Sequence, residues 1–217
     1  MDNKQTGIEG STFGDNARIE IIQHINSPRQ NQATPSNVRP GSKNFVGRGE
    51  ELAEIHQKLQ TGQGVIVCAV EGLGGVGKSE LALQYAQLHK EEYVAQYWLQ
   101  LREMGLAQAV VTLTAPYMAL PEPMQAASIE AQAAWYWQNW LPATGKLLVI
   151  LDDVAKVESM PDEAMPFDPR VQILVTTRER SLQMGFESVP LAVLAEEEAL
   201  EQGYRIKIIL LTFCPNY

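Results

Sequence analysis

The stretch GLGGVGKS, Gly72 to Ser79, sets four glycines, a lysine and a hydroxyl at the spacing G-x-x-x-x-G-K-[ST]. It lies between a short apolar run, VIVCAV (Val65–Val70), and a segment of helical pattern from Lys78 to His89. That context is the one in which such a loop wraps a chain of phosphates. Gly72, Gly74, Gly75 and Gly77 allow the backbone to curl until successive N–H groups point at phosphate oxygens. The helix that follows opens with unpaired N–H groups and a partial positive charge, both suited to an anion. Lys78 is placed to reach the β- and γ-phosphates of a nucleoside triphosphate, and the Ser79 hydroxyl to ligate Mg²⁺.

About 75 residues further on, LLVILDD ends a second apolar run with Asp152 and Asp153. In open α/β sheets the C-terminal strand edge is where ligands bind. Asp152 is the candidate Mg²⁺ partner, through water, because Mg²⁺ keeps several of its waters. Asp153 is the candidate to orient or deprotonate an attacking water. The alternative is an Asp pair that caps the next helix. A third run, VQILVTTRER, carries Thr176, Thr177 and Arg178 to the same edge. A guanidinium there can contact the γ-phosphate and stabilise charge that develops on its transfer. The alternative for Arg178 is a solvated surface arginine, since Arg180 lies only two residues away.

The elements that must position these groups follow from periodicity. Leu52, Ile55 and Leu59 fall on one face of a helix over Gly49–Gln60. Val65–Val70, Tyr93–Leu101, Leu147–Leu151 and Val171–Thr176 read as strands, the continuous apolar ones as strands covered on both faces. A fifth is expected within Ser188–Leu194, and helices over Pro121–Leu141 and Ala195–Gln202. Strands alternating with helices predict an α/β fold, a parallel β-sheet flanked by helices.

The chain has 217 residues, 45% of them hydrophobic and 20% charged, enough to bury a core of one domain with additional segments. A net charge of −9 offers no basic field for nucleic acid or anionic lipid, so neither is expected as a partner. Two cysteines, Cys68 within an apolar run and Cys214, form no disulfide framework, as suits a reducing compartment. No apolar run approaches the roughly 20 residues that span a bilayer, and MDNKQTGIEG lacks a signal-peptide core. The expected location is cytoplasmic.

Residues 1–43 differ from the rest. Ser27–Lys43 is rich in Pro, Ser, Asn and Gln and reads as a flexible, disordered linker. Upstream, GSTFGDNARIEIIQHI (Gly10–Ile25) joins turn residues to an alternating, β-favouring run. At the other end, residues 203–217 carry an apolar run, Ile206–Phe213, that fits neither an amphipathic helix nor a polar terminus.

Four segments, FVGR (Phe45–Arg48), GLGGVGKS, LLVILDDV (Leu147–Val154) and ILVTTR (Ile173–Arg178), stand in the order seen in NB-ARC domains. The chain from about Asn44 to Leu200 resembles that family of STAND-class signalling P-loop NTPases. The resemblance implies that Val46 and Arg48 lie beside the adenine, that Lys78 and Ser79 (Walker A) hold phosphate and Mg²⁺, that Asp152 and Asp153 form the Walker B pair, and that Arg178 is the sensor. It implies ATP or ADP as ligand, with ADP locking a closed monomer and ATP permitting opening and a homo-oligomer. No N-K-x-D motif for reading guanine follows the P-loop. The family pattern continues beyond Leu200 into helical and winged-helix domains, so the ending EQGYRIKIILLTFCPNY reads as a truncation. Gly10–Ile25 is also similar to amyloid-type signalling motifs at the N-termini of some STAND proteins, which template a fold in an effector protein; a plain disordered tail is the alternative. The domain organisation is then residues 1–43, a nucleotide-binding domain over 44–202, and the tail 203–217.

Three functions compete. The first is a nucleotide-dependent signalling module with weak Mg²⁺-dependent ATPase at most. The second is an interaction protein acting through residues 10–25 with a relic core. The third is a metabolic P-loop kinase, disfavoured because Arg102 is the only arginine between the P-loop and Asp152.

Overall fold

Three of the five parallel strands, Gly64–Ala69, Leu147–Val154 and Val171–Thr177, are short runs rich in branched apolar side chains that pack on a pleated surface, and the two edge strands are more mixed. A computed structural model of the chain describes residues 35–43, 45, 47–62, 64–69, 77–155, 164–166, 168–178 and 186–192. In chain order the elements are α1 (Gly49–Thr61), β1 (Gly64–Ala69), α2 (Lys78–Leu88), a 3₁₀ turn (Lys90–Glu92), β2 (Ala95–Gln100), α3 (Leu106–Thr114), α4 (Glu122–Gln125), α5 (Ile129–Trp140), β3 (Leu147–Val154), β4 (Val171–Thr177) and β5 (Glu187–Leu191). All belong to one unit, Ala33–Tyr217. The expected motif at Gly10–Ile25, the helix at Ala195–Gln202 and the tail 203–217 lie outside the described residues.

The sheet order is β2-β3-β4-β1-β5, with every neighbouring pair parallel. The strand that leads into the P-loop, β1, is thus separated from β3 by β4. Side chains alternate across the sheet as the pleat requires. Leu147, Val149 and Leu151 of β3 join Leu106, Val110, Tyr136 and Trp137 of α3 and α5 on one face. Leu148 and Ile150 join Ile55 and Leu59 of α1 and Leu81 and Tyr85 of α2 on the other. The result is a helix–sheet–helix sandwich with two apolar layers. The strand on the far edge, β5, carries Pro190, a residue that edge strands tolerate because no ladder bond needs its missing N–H. Among the described residues no helix is long and apolar enough to cross a membrane.

Three differences from the sequence expectations have local causes. Pro121–Leu141 is two helices, not one: Ser128 interrupts the run and caps α5, its side chain accepting from the Ala131 N–H at 3.2 Å. The helix α3 had no sequence forecast; Val110, Val111, Thr112 and Thr114 are β-branched and weaken the helical signal. The described part of the expected linker, 35–43, has no helix or strand of its own yet is tied to the open edge of β2. The Asn37 side chain donates to the Trp98 carbonyl at 2.9 Å and accepts the Trp98 N–H at 2.7 Å, as a neighbouring strand would. Ser36 Oγ accepts the Gln96 N–H at 3.0 Å.

The cap makes a prediction whose sign decides the point. In an uninterrupted helix Ser128→Ala stabilises by a few tenths of a kcal/mol. With Ser128 as the N-cap of α5 the same change costs about 1 kcal/mol, read as a lower midpoint in denaturant unfolding.

Candidate phosphate-binding site

The site is assembled at the C-terminal ends of β3 and β4 and the first turn of α2. Gly77 precedes α2 with φ 93°, a left-handed conformation that glycine adopts without a Cβ penalty. Lys78 and Ser79 then occupy the first turn, where backbone N–H groups lack intrahelical partners. Lys78 is 8% exposed.

Asp152 is 5% exposed, so its carboxylate depends on hydrogen bonds rather than water. Ser79 Oγ donates to Asp152 Oδ1 at 2.6 Å, and Thr176 Oγ1 donates to the same oxygen at 2.7 Å. Thr176 Oγ1 in turn accepts the Asp153 N–H at 2.9 Å. One threonine hydroxyl therefore holds both carboxylate residues. A regular strand would point Asp152 and Asp153 to opposite faces. Here the β3–β4 register shifts between Leu151 and Val154, and Asp153 takes φ 58°. Aspartate tolerates that conformation better than most residues, and such irregularities re-aim side chains. Both carboxylates consequently line one cleft of about 340 Å³.

Asp153 is engaged by two guanidiniums. Arg102 Nε donates to Asp153 Oδ2 at 2.5 Å, and Arg178 Nε lies 3.6 Å from Asp153 Oδ1. The bond from Asp153 raises the already high pKa of Arg102, which stays charged throughout the working pH range. The cleft is lined by four basic side chains, Arg39, Lys78, Arg102 and Arg178, against three acidic ones, Glu80, Asp152 and Asp153. In a chain of net charge −9 that is a local concentration of positive charge.

Of the residues expected from the sequence, Gly77, Lys78, Ser79, Asp152, Asp153 and Arg178 meet in this cleft. Arg48 does not line it. Its guanidinium donates to Glu51 at 2.7 Å and to the Ala192 carbonyl at 2.6 Å, tying the start of α1 to the chain after β5. Val46, Gly72, Gly74 and Gly75 lie outside the described residues.

Three contributors escaped the sequence. Thr176 stood in the motif, but its linking role depends on β4 lying beside β3. Arg102 follows β2, whose Gln100 pairs with Asp152 across the ladder. Arg39 sits in the stretch of linker composition. Each reaches the site through strand order or side-chain pairing, which no local pattern displays.

A family model described as the NB-ARC domain matches residues 48–202, or 155 of the 217 residues. The regulatory protein AfsR of Streptomyces griseus is 29% identical over 193 residues, an overlap that covers 83% of this chain and 19% of AfsR. The chain thus spans about a fifth of that relative's length. Among solved structures, the ORC2 protein of Aeropyrum pernix in its ADPNP–ADP complexes aligns with TM-score 0.47 and 19% identity, over 80% of this chain and 55% of ORC2. A Walker-type ATPase of Pyrococcus abyssi aligns with TM-score 0.47 and 13% identity, over 76% of this chain and 59% of its own.

Removing the linking hydroxyl tests the assembly. Thr176→Val keeps the shape but removes the partner of the Asp153 N–H and leaves Asp152 Oδ1 with the Ser79 hydroxyl alone. The expected loss of stability is about 1–3 kcal/mol in denaturant unfolding. A loss below about 0.5 kcal/mol contradicts a structural role for that hydroxyl.

Proposed function

The chain belongs to the NB-ARC domain family, a nucleotide-binding module, and on that premise we propose that it binds ATP or ADP with Mg²⁺ in the cleft between α2 and the ends of β3 and β4. The observation that carries this reading is the Ser79–Asp152–Thr176 node. A buried carboxylate joined to a hydroxyl at the start of a helix is a set of hard oxygen donors, the kind Mg²⁺ takes. Mg²⁺ bound there would neutralise phosphate charge. Lys78 and the first-turn N–H groups of α2 would hold the phosphates, and Thr176 would keep Asp152 oriented. Arg178 and Arg102 stand at the outer side, where a terminal phosphate's charge would compete with Asp153 for their guanidiniums.

The biological reading is a nucleotide-dependent switch of the STAND type rather than a metabolic enzyme. Asp153 is engaged by two arginines, so activating a water there requires those contacts to open first, which supports slow turnover. A relative named as a regulatory protein agrees with a regulatory role. Adenine rather than guanine is supported by FVGR ahead of the core. Nucleotide-dependent oligomerisation, and an effector protein recognised through residues 10–25, belong to the same proposal.

The test is equilibrium binding of ATP to Lys78→Ala. Loss of a charge-assisted contact is worth about 1.5–3 kcal/mol. Affinity is therefore expected to fall roughly 10- to 150-fold. Unchanged affinity contradicts the assignment of this cleft.

A further inference from the structure

At the other end of α2 from the cleft, the chain gathers two of its three histidines with a glutamate. His56 projects from α1, His89 ends α2, and Glu92 closes the 3₁₀ turn. The His56 and His89 rings stack with centroids 4.1 Å apart and planes 7° from parallel. One ligand atom from each of the three residues can be chosen so that all lie within 4.8 Å of one another. The length of α2, about 16 Å at 1.5 Å per residue, separates this group from Lys78.

The hydrogen bonds around the group fix which ring nitrogen of His56 is available. Gln172 Nε2 donates to the Leu59 carbonyl at 2.5 Å, so Gln172 Oε1 is the acceptor and takes the Tyr93 hydroxyl proton at 2.6 Å. With its only proton used, Tyr93 must accept from Tyr85, 2.9 Å away. Tyr85 has then donated as well, so its oxygen accepts from His56 Nδ1–H at 3.3 Å. Phenols keep their protons at neutral pH, so each hydroxyl has one hydrogen to donate. The network thus places a proton on His56 Nδ1 and turns Nε2 away from it, toward His89 as a ligand atom. A histidine whose Nδ1–H is anchored by an oxygen while Nε2 stays basic is the arrangement that metal-ligating histidines use. His89 Nδ1 lies 2.6 Å from Glu92 Oε1, a carboxylate that only accepts.

We propose that His56, His89 and Glu92 form a binding site for a divalent transition-metal ion of borderline softness, such as Zn²⁺. Two imidazoles and one carboxylate suit such an ion better than Mg²⁺. Tetrahedral metal–nitrogen bonds of about 2.1 Å set donor atoms about 3.4 Å apart, so the three groups must close by up to roughly 1.4 Å, within the reach of side-chain rotation. Side-chain exposures of 14% for His89 and 40% for Glu92 leave the ion a path from solvent. Stacked rings must splay slightly for their lone pairs to converge, and the exposed side of the pair allows it. A bound ion would bridge α1 to the end of α2, and so stabilise the helical layer on that face of the sheet.

The experiment is a Zn²⁺ titration of the full chain without nucleotide, in competition with a chromophoric chelator. One ion per chain at about micromolar affinity is expected, with a higher melting temperature in its presence. His56→Gln and His89→Gln should each weaken binding about tenfold or more. His24→Gln, at the remaining histidine, and Lys78→Ala should leave it unchanged, which separates this site from the nucleotide cleft. Circular dichroism checks that the variants fold; should His56→Gln unfold, His89→Gln at the helix end decides. Zn²⁺ affinity that both histidine variants retain, held at Cys68 or Cys214 instead, overturns the proposal. So does the absence of binding at millimolar Zn²⁺.

Discussion

A carboxylate held almost entirely out of water at the end of β3 constrains everything around it. Desolvating an ionised Asp152 is costly unless its oxygens are satisfied. The chain satisfies it with two hydroxyls from different elements, Ser79 of α2 and Thr176 of β4. These bonds require β4 to lie beside β3, and α2 to enter the sheet edge at one height. The order β2-β3-β4-β1-β5 meets the first demand, and the left-handed Gly77 at the start of α2 meets the second. The helix α2 and the acidic strand β3 are therefore registered by a bond between Ser79 and Asp152 as well as by the two apolar layers beneath them.

The neighbouring Asp153 shows the opposite balance. Its partners Arg102 and Arg178 are 59% and 58% exposed in their side chains, and ion pairs so open to solvent contribute little to stability. Such contacts are easily exchanged. A rigid inner pair, Ser79 and Asp152, thus sits beside a loosely held outer set of two arginines and Asp153. The proposed switch would use that division, with a fixed place for the phosphates beside exposed charges that could respond to a terminal phosphate.

Much of this was legible in the residues. Strands buried on both faces advertise themselves as continuous apolar runs, so β1, β3 and β4 stood out. The P-loop spacing and the paired aspartates located Lys78, Ser79, Asp152, Asp153 and Arg178 in one place. Other features resisted because their causes are tertiary. The helix α3 is built on β-branched residues and is held by burial of Leu106 and Val110 against the sheet face. The break ahead of α5 turns on one serine hydroxyl. Segment 35–43 has the composition of a linker, and its attachment to β2 uses the Asn37 side chain and backbone together with the Ser36 hydroxyl. Arg102 and Arg39 join the cleft only once β2 is known to be an edge strand next to β3.

The measurement that bears most directly on the central claim is the coupling between Mg²⁺ and nucleotide. ADP affinity is determined with and without Mg²⁺ for the native chain and for Asp152→Asn, which keeps the side-chain shape and removes the charge. If Ser79 and Asp152 form the cation end of a phosphate site, Mg²⁺ tightens ADP binding to the native chain by about tenfold or more, and Asp152→Asn loses most of that gain while still binding free ADP. An Asp152→Asn chain with the full Mg²⁺ enhancement would contradict the account, since the buried carboxylate would then serve the fold alone.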